Sequence, residues 1–60
     1  MPSVIDDPDH WRQRAVEAFA LAEQMADADA KRAMVKIAEE YERLAERAEE
    51  RIAERLAHAR

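Results

Sequence analysis

The sequence predicts an all-α fold, an antiparallel hairpin of a short helix followed by a longer one, and three observations support it. The chain of 60 residues contains no Gly and only two Pro, so few positions interrupt a helix. Apolar residues recur at helical spacing from residue 8 onward. The segment Asp27-Ala28-Asp29 has residue types that favour a helix start over a helix interior. The chain is therefore expected to form one domain.

Helix 1 is predicted over about residues 8–26, after an extended lead of residues 1–6. Asp7 is a preferred N-cap residue, Pro8 suits the first helical position, and Asp9 complements the positive end of the helix. At 100° per residue the apolar side chains form one broad stripe, which indicates that helix 1 contacts more than one other helix. The stripe comprises Trp11, Ala15, Ala18, Phe19, Ala22, Met25 and Ala26, with Leu21 beside it.

Helix 2 is predicted over about residues 28–58, with the corner of the hairpin at Asp27. Asp27 is a suitable N-cap and Asp29 falls in the first turn, where an acidic side chain is favourable. Because the corner contains neither Pro nor Gly, one continuous bent helix is the alternative to the hairpin.

The apolar seam of helix 2 is predicted to change its period midway. It follows heptad spacing up to residue 48, but the next heptad position is Arg51, and the stripe continues through Ile52 instead. Such a skip locally unwinds a left-handed supercoil. Ala38, Ala45 and Ala48 are expected to let a neighbouring backbone approach closely. The predicted seam comprises Met34, Ile37, Tyr41, Leu44, Ala48, Ile52 and Leu56.

The length and composition of the chain predict association. A domain of this size has a marginal core unless it gains a staple or a partner, and the absence of Cys excludes a disulfide. Helix 2 should extend about ten residues beyond helix 1 and carry Ile52 and Leu56 with it. These side chains need a cover, either the lead segment with Val4 and Ile5 or a second protomer.

We therefore expect a homo-oligomer, most simply a dimer that forms an antiparallel four-helix bundle. Trp11 and Tyr41 are predicted to pack in the apolar stripes and not to stack on a ligand. The expected oligomer or partner interface comprises Trp11, Ala18, Phe19, Leu21, Met25, Met34, Ile37, Tyr41, Leu44, Ala48, Ile52 and Leu56.

Helix 2 also carries two charge rows at intervals of four residues, one of Glu from Glu42 to Glu54 and one of Arg from Arg43 to Arg55. The plain interpretation is a solvated helix face with weak mutual support between the rows. The alternative is that the Arg row sets the register of association. Arg51 and Arg55 would then meet acidic residues of the same or another protomer, namely Asp6, Asp7 and Asp9.

Charge and hydropathy disfavour several classes of partner. The net charge of -4 and the lack of a basic face argue against nucleic acid, which is bound mainly through its phosphates. No apolar run approaches the ~20 residues that span a bilayer. The acidic N-terminus lacks the basic start of a signal peptide, so a cytoplasmic location without membrane attachment is expected.

The residue types for catalysis are also scarce. Ser3 and Tyr41 are the only hydroxyl candidates, and there is no thiol and no Gly-rich loop. His10 and His58 each have a carboxylate nearby in sequence, but a zinc site needs three or four converging ligands. We expect no enzyme activity, no metal and no cofactor.

Several motifs lie along the chain at fixed offsets: His10-Trp11-Arg12-x-Arg14-Ala15, Leu21-Ala22-Glu23-Gln24-Met25, Ala30-Lys31-Arg32-x-Met34, Ile37-Ala38 and Tyr41-Glu42-Arg43-Leu44-Ala45-Glu46-Arg47-Ala48. With these motifs the chain resembles a group of short, uncharacterised bacterial proteins that form helical hairpins. In that group the corner often carries Asp-Pro where this chain has Asp27-Ala28, which supports a helix start there. The resemblance covers nearly the whole chain but implies no activity.

The sequence thus favours a structural or interaction protein that associates with itself. A second hypothesis is a regulatory or inhibitor-like subunit that docks its apolar face, at the Ile52 and Leu56 end, on a larger protein. Nucleic-acid binding through the Arg row is a remote third hypothesis.

Overall fold

The computed structural model describes residues 7–59, which form two helices, α1 (Pro8–Gln24) and α2 (Ala28–His58), packed against each other. The prediction of an all-α helical hairpin is confirmed. The molecule measures 51 × 17 × 12 Å, so it is a narrow rod. The predicted extended lead, residues 1–6, lies outside the described residues. Neither helix has an apolar stretch long enough to cross a membrane.

Helix α1 begins where Asp7 caps it. The Asp7 backbone is extended, and its Oδ1 accepts a hydrogen bond from the Asp9 N–H at 3.1 Å. Pro8 occupies the first helical position, where a backbone N–H would have no hydrogen-bond partner within the helix, so its absence in proline costs nothing. Asp9 adds a negative charge to the positive end of the helix.

The corner of the hairpin consists of Met25, Ala26 and Asp27, and α1 ends two residues earlier than expected. Met25 adopts an extended conformation (φ -80°, ψ 131°) while its N–H still donates to the Ala22 carbonyl at 3.2 Å. No residue in the described part has a positive φ, so the turn does without the left-handed residue that commonly ends a helix. Asp27 must be extended to cap α2, and the chain has to leave α1 before it.

Asp27 fixes the start of α2. Its Oδ2 accepts a hydrogen bond from the Ala30 N–H at 2.8 Å, and its carbonyl accepts one from the Lys31 N–H at 2.9 Å. A carboxylate on the third N–H is a strong helix cap. One continuous bent helix is therefore not formed.

The closest contact between the helices is made by small side chains. In the part of the chain that the structure describes, every buried residue is an alanine, and each is at most 4% exposed. Among residues 7–59 no large side chain is fully buried. Because alanine buries little area, this core contributes less per residue than a core of Leu or Ile. The core comprises Ala15, Ala18 and Ala22 of α1 and Ala38, Ala45 and Ala48 of α2.

The alanines of α2 define a seam that differs from the predicted one. Ala38, Ala45 and Ala48 face α1, whereas Ile37 and Leu44 lie one residue earlier and remain partly or largely accessible. Heptad spacing from Ala38 and Ala45 leads directly to Ile52, so the expected skip in period is absent. The stutter prediction was wrong because it followed the large residues, whereas the prediction that Ala38, Ala45 and Ala48 allow a close approach of the helices is confirmed.

Helix α2 continues well past the start of α1. At 1.5 Å per residue α1 is about 25 Å long and α2 about 46 Å. Arg12, near the start of α1, pairs with Glu49 of α2. Residues 50–58, which we call the overhang, therefore extend beyond α1, with Ile52 half-buried and Leu56 68% exposed.

Candidate interaction surface

Along residues 7–59 the structure describes two open grooves whose linings have no residue in common. Their volumes, about 270 and 260 Å³, are at or below the lower end for small-molecule pockets. We call the first the tyrosine face, lined by Arg14, Glu17, Ala18, Leu21, Met34, Ile37 and Tyr41. We call the second the phenylalanine face, lined by Arg12, Ala15, Val16, Phe19, Glu42, Ala45 and Glu46.

An aromatic pair closes one end of the tyrosine face. The rings of Trp11 and Tyr41 stack across the two helices with centroids 5.9 Å apart and an angle of 20° between their planes. His10 meets Trp11 edge-on at 4.7 Å. An aromatic contact of this kind contributes about 0.5–1.5 kcal/mol beyond the area that it buries. Both partners of the stack are half-buried, at the edge of the alanine core and not within it.

The middle of the tyrosine face is apolar and accessible. Leu21 is 51% exposed and Ile37 is 46% exposed, although both belong to the largest apolar side chains of the molecule. Met34 between them is half-buried. At the rim the Arg14 guanidinium and the Glu17 carboxylate form an ion pair at 2.9 Å, so their charges offset each other. The groove therefore presents a hydrophobic surface without a net charge.

The phenylalanine face, in contrast, is acidic. Glu42 and Glu46 line it, and Glu49 lies next along the same side of α2. Arg12 supplies a positive charge, but that charge is paired with Glu49 across the helices. Val16 on this side is 66% exposed. The face combines an apolar floor with an acidic rim.

The residues predicted as an interface are distributed over five places. The tyrosine face and its aromatic end hold Trp11, Leu21, Met34, Ile37 and Tyr41, with Leu44 half-buried on the same helix. Phe19 lines the other groove, and Met25 forms the corner. Ala18 and Ala48 lie in the buried contact between α1 and α2. Ile52 and Leu56 lie on the overhang together with Arg51 and Arg55, and Asp7 and Asp9 lie at the start of α1.

Two residues that are absent from the predicted interface line the phenylalanine face. Val16 lies outside the predicted apolar stripe of α1 but borders this groove. Ala45 was expected only to allow close approach, and it does so while forming the floor of the groove. Both lie beside charged residues that also line the groove, Val16 beside Arg12 and Ala45 beside Glu42. The apolar stripe of a single helix does not show that these residues meet in one groove.

Several ion pairs support the outer surface of α2. Arg43 pairs with Glu40 at 2.6 Å, and Arg32 with Asp29 at 3.0 Å, each three residues apart. The two charge rows of α2 were expected to support each other, but Glu40, the partner of Arg43, belongs to neither row. All four side chains are more than half exposed, so each pair contributes at most a few tenths of a kcal/mol.

Within residues 7–59 no three His, Asp or Glu side chains converge closely enough to hold a metal ion. Comparison with protein-family models, curated proteins and solved structures finds no match for this chain. The resemblance to short bacterial hairpin proteins stays a prediction.

Proposed function

We propose that this protein is a self-associating α-hairpin whose tyrosine face binds the same face of a second copy, giving a dimer of four helices with a structural or interaction role. The observation that supports it best is the core made of alanine alone, while large apolar side chains line one open face. A natural sequence that places its largest apolar residues on one surface gains stability when that surface is covered.

The energetics of burial favour a partner on this face. Full burial of a Leu or Ile side chain contributes about 1.5–3 kcal/mol relative to exposure. Leu21 and Ile37 gain only part of this in the single chain, because about half of each remains accessible. A second copy would bury the remainder of four such side chains at once, two from each chain.

The accessible surface supports the same proposal. The chain exposes 4930 Å², whereas a compact protein of 6.9 kDa exposes about 4000 Å². The excess, roughly 900 Å², is close to the ~800 Å² that each partner contributes to an ordinary stable interface. One further contact of standard size would bring the chain to the surface area expected for its mass.

Charge distinguishes the two faces as sites for self-association. In a two-fold dimer the same surface meets itself, so a face of one sign repels its copy. The acidic residues Glu42, Glu46 and Glu49 disfavour such contact through the phenylalanine face. The tyrosine face carries the balanced pair Arg14 and Glu17, so two copies can approach without net repulsion.

The proposal is tested by two matched substitutions. Ile37→Asp places a charge in the tyrosine face, and Val16→Asp places one on the phenylalanine face at a position that is even more exposed. Neither residue belongs to the alanine core, so both variants should keep their helical circular dichroism. We expect sedimentation equilibrium to show association weakened about tenfold or more by Ile37→Asp and little changed by Val16→Asp.

A wild-type chain that sediments as a monomer at all concentrations would overturn the proposal. It would leave docking on a larger protein as the alternative for the same apolar residues. Equal effects of the two substitutions would also count against it, because they would exclude the tyrosine face as the specific contact.

The proposal extends to the charges that set the register. Arg51 and Arg55 on the overhang would meet Asp6, Asp7 or Asp9, of the same chain or of the second copy, as the sequence predicts. The double variant Arg51→Glu/Arg55→Glu should weaken association, and the loss should shrink at high salt, where surface charges are screened. Unchanged association would remove the register role and leave the apolar contact standing.

A further inference from the structure

We infer that the phenylalanine face is a docking site for a basic amphipathic helix of another protein. Such a helix would lay its apolar side chains on the floor of the groove and its Lys or Arg side chains against the acidic rim. The inference goes beyond the proposed function, because the linings of the two faces share no residue. A dimer formed through the tyrosine face leaves this groove accessible, so both contacts can exist together.

The floor of the groove offers an apolar surface that the hairpin itself does not cover. Val16 is 66% exposed, and Phe19 beside it is half-buried. Ala15 and Ala45, from opposite helices, also line the groove and are at most 3% exposed. Because the distance between packed helices depends on the side chains at their contact, these alanines allow a third helix to approach closely. The groove is therefore suited to a helix that packs on α1 and α2 at once.

The rim of the groove carries negative charge that the hairpin leaves unpaired. Within residues 7–59 neither Glu42 nor Glu46 forms an ion pair, and both side chains are exposed. The basic residue of the lining, Arg12, is paired with Glu49 and lies 3.8 Å from the Asp9 carboxylate. Its positive charge is thus already balanced by carboxylates of the same chain. The charge available to a partner is negative.

The spacing of the acidic residues fits a helical partner. Glu42, Glu46 and Glu49 follow one another at intervals of four and three residues, so they lie along one side of α2 and span about 10 Å. A helix that lies beside α2 has the same rise per residue. Its basic side chains at intervals of three and four residues therefore face these carboxylates in turn.

The charge of the face disfavours other occupants. A second copy would place the same carboxylates opposite one another in a two-fold contact. The phosphates of a nucleic acid or of an anionic membrane have the same sign as the rim. A small polycation would use the rim but not the floor, and exposed ion pairs alone contribute little. A basic amphipathic helix matches both parts of the groove and gains affinity from apolar burial.

Fluorescence anisotropy with synthetic peptides tests whether the protein binds this kind of helix. The probe is a labelled peptide of about 14 residues, roughly four turns, built of Leu and Lys so that one side of the helix is apolar and its flanks are basic. One reference peptide has Gln in place of every Leu, which preserves helix propensity, and the other has Glu in place of every Lys. We expect the full-length protein to bind the probe about tenfold or more tightly than either reference peptide at about 0.15 M salt. Equal binding of either reference peptide would overturn the inference.

Matched substitutions in the protein locate the site. Glu42→Gln/Glu46→Gln removes two charges from the rim, and Glu50→Gln/Glu54→Gln removes two from the same Glu row beyond the groove. All four side chains are exposed, so both variants should keep their helical circular dichroism. We expect the first variant to bind the probe about tenfold more weakly and the second to bind it like the wild type. Equal losses would show that only the net charge matters and would defeat the docking site.

The contribution of the floor is measured with Val16→Thr. Thr has nearly the shape of Val and is also β-branched, so the change mainly places a hydroxyl group in the apolar floor. Binding of the probe should weaken about fivefold, because the partner has to desolvate that hydroxyl. Unchanged binding would mean that the partner does not use the floor, which contradicts docking of an amphipathic helix.

Sedimentation of the wild type with and without the probe separates this inference from the proposed function. We expect the probe to bind without changing the association state of the protein. A probe that dissociates the dimer would occupy the tyrosine face, which defeats the inference and leaves the dimer standing. A monomeric wild type whose binding of the probe still depends on Glu42 and Glu46 would remove the dimer and support the docking site.

Discussion

The backbone at Asp7 and Asp27 shows how single aspartates set the boundaries of both helices. Each residue is extended, and each carboxylate accepts a hydrogen bond from a backbone N–H of the first turn. The Asp27 bond, at 2.8 Å to the third N–H, is the shorter of the two and also ends the corner. In a chain without Gly, the change of direction depends on this carboxylate more than on any left-handed residue.

Substitution of Asp27 by Ala should therefore lower stability by about 1 kcal/mol, the usual effect of losing an N-cap. For a domain of this size that corresponds to a fall in melting temperature of several degrees. Thermal circular dichroism at fixed protein concentration measures it. Asp29→Ala is the control, because Asp29 is an acidic residue of the same first turn that pairs with Arg32 but is not the N-cap. If both variants melt together, the cap does not determine the corner.

The ion pair between Arg12 and Glu49 connects the two helices, but its energetic contribution is expected to be small. About half of each side chain is exposed to water, which screens the charges. A double-mutant cycle with Arg12→Ala and Glu49→Ala should give a coupling free energy below about 1 kcal/mol by urea denaturation. A coupling of several kcal/mol would instead show that the pair, and not the alanine seam, determines the packing of the helices.

The two helices show which features of the fold can be predicted from the sequence and which cannot. The cap residues and helical periodicity predicted the hairpin, because capping and local spacing depend on neighbouring residues alone. The seam of α2 could not be read as directly. Ile37 and Leu44 are the more hydrophobic residues, yet Ala38 and Ala45 face α1, since two helices approach most closely where side chains are smallest. Close packing of the helices, and not hydrophobicity, therefore decides which residues of α2 face α1.

The end of α1 was misplaced for a related reason. Met25 and Ala26 both favour a helix, and no local signal in them requires it to stop. It stops because Asp27 needs an extended backbone to cap α2. The candidate surface was predicted only in part. Most of its large residues were identified, but their division between two faces depends on how α1 packs against α2.

Enlarging a seam residue should therefore destabilise the hairpin more than enlarging an outward one. Ala38→Leu inserts three carbon atoms into a contact where Ala38 is 0% exposed, and overpacking of this kind costs about 1–3 kcal/mol. Ala20→Leu, on the exposed side of α1, is the matched control and should be close to neutral. Urea denaturation of both variants at equal concentration gives the comparison. A neutral Ala38→Leu would show that the helices are not held at close approach.

At the scale of the whole molecule, shape and composition both indicate that the chain gains stability when a second copy covers part of its surface. The radius of gyration is 14.4 Å, whereas a compact chain of 60 residues has one of about 10 Å. The rod thus has more surface than its mass requires and an alanine core that stabilises it weakly. Its two faces differ in charge, so self-association through one of them does not lead to indefinite stacking through the other.

Stabilisation by a second copy predicts that thermal stability depends on protein concentration. A folded dimer gains about 1.4 kcal/mol for each tenfold increase in concentration, because dissociation accompanies unfolding. The melting temperature of the wild type should rise by roughly 10 °C between about 5 and 500 μM, and the Ile37→Asp variant should melt at a lower temperature with little concentration dependence. Val16→Asp should follow the wild type. A wild-type melting temperature that stays constant over this range would mean that the alanine core alone holds the hairpin together.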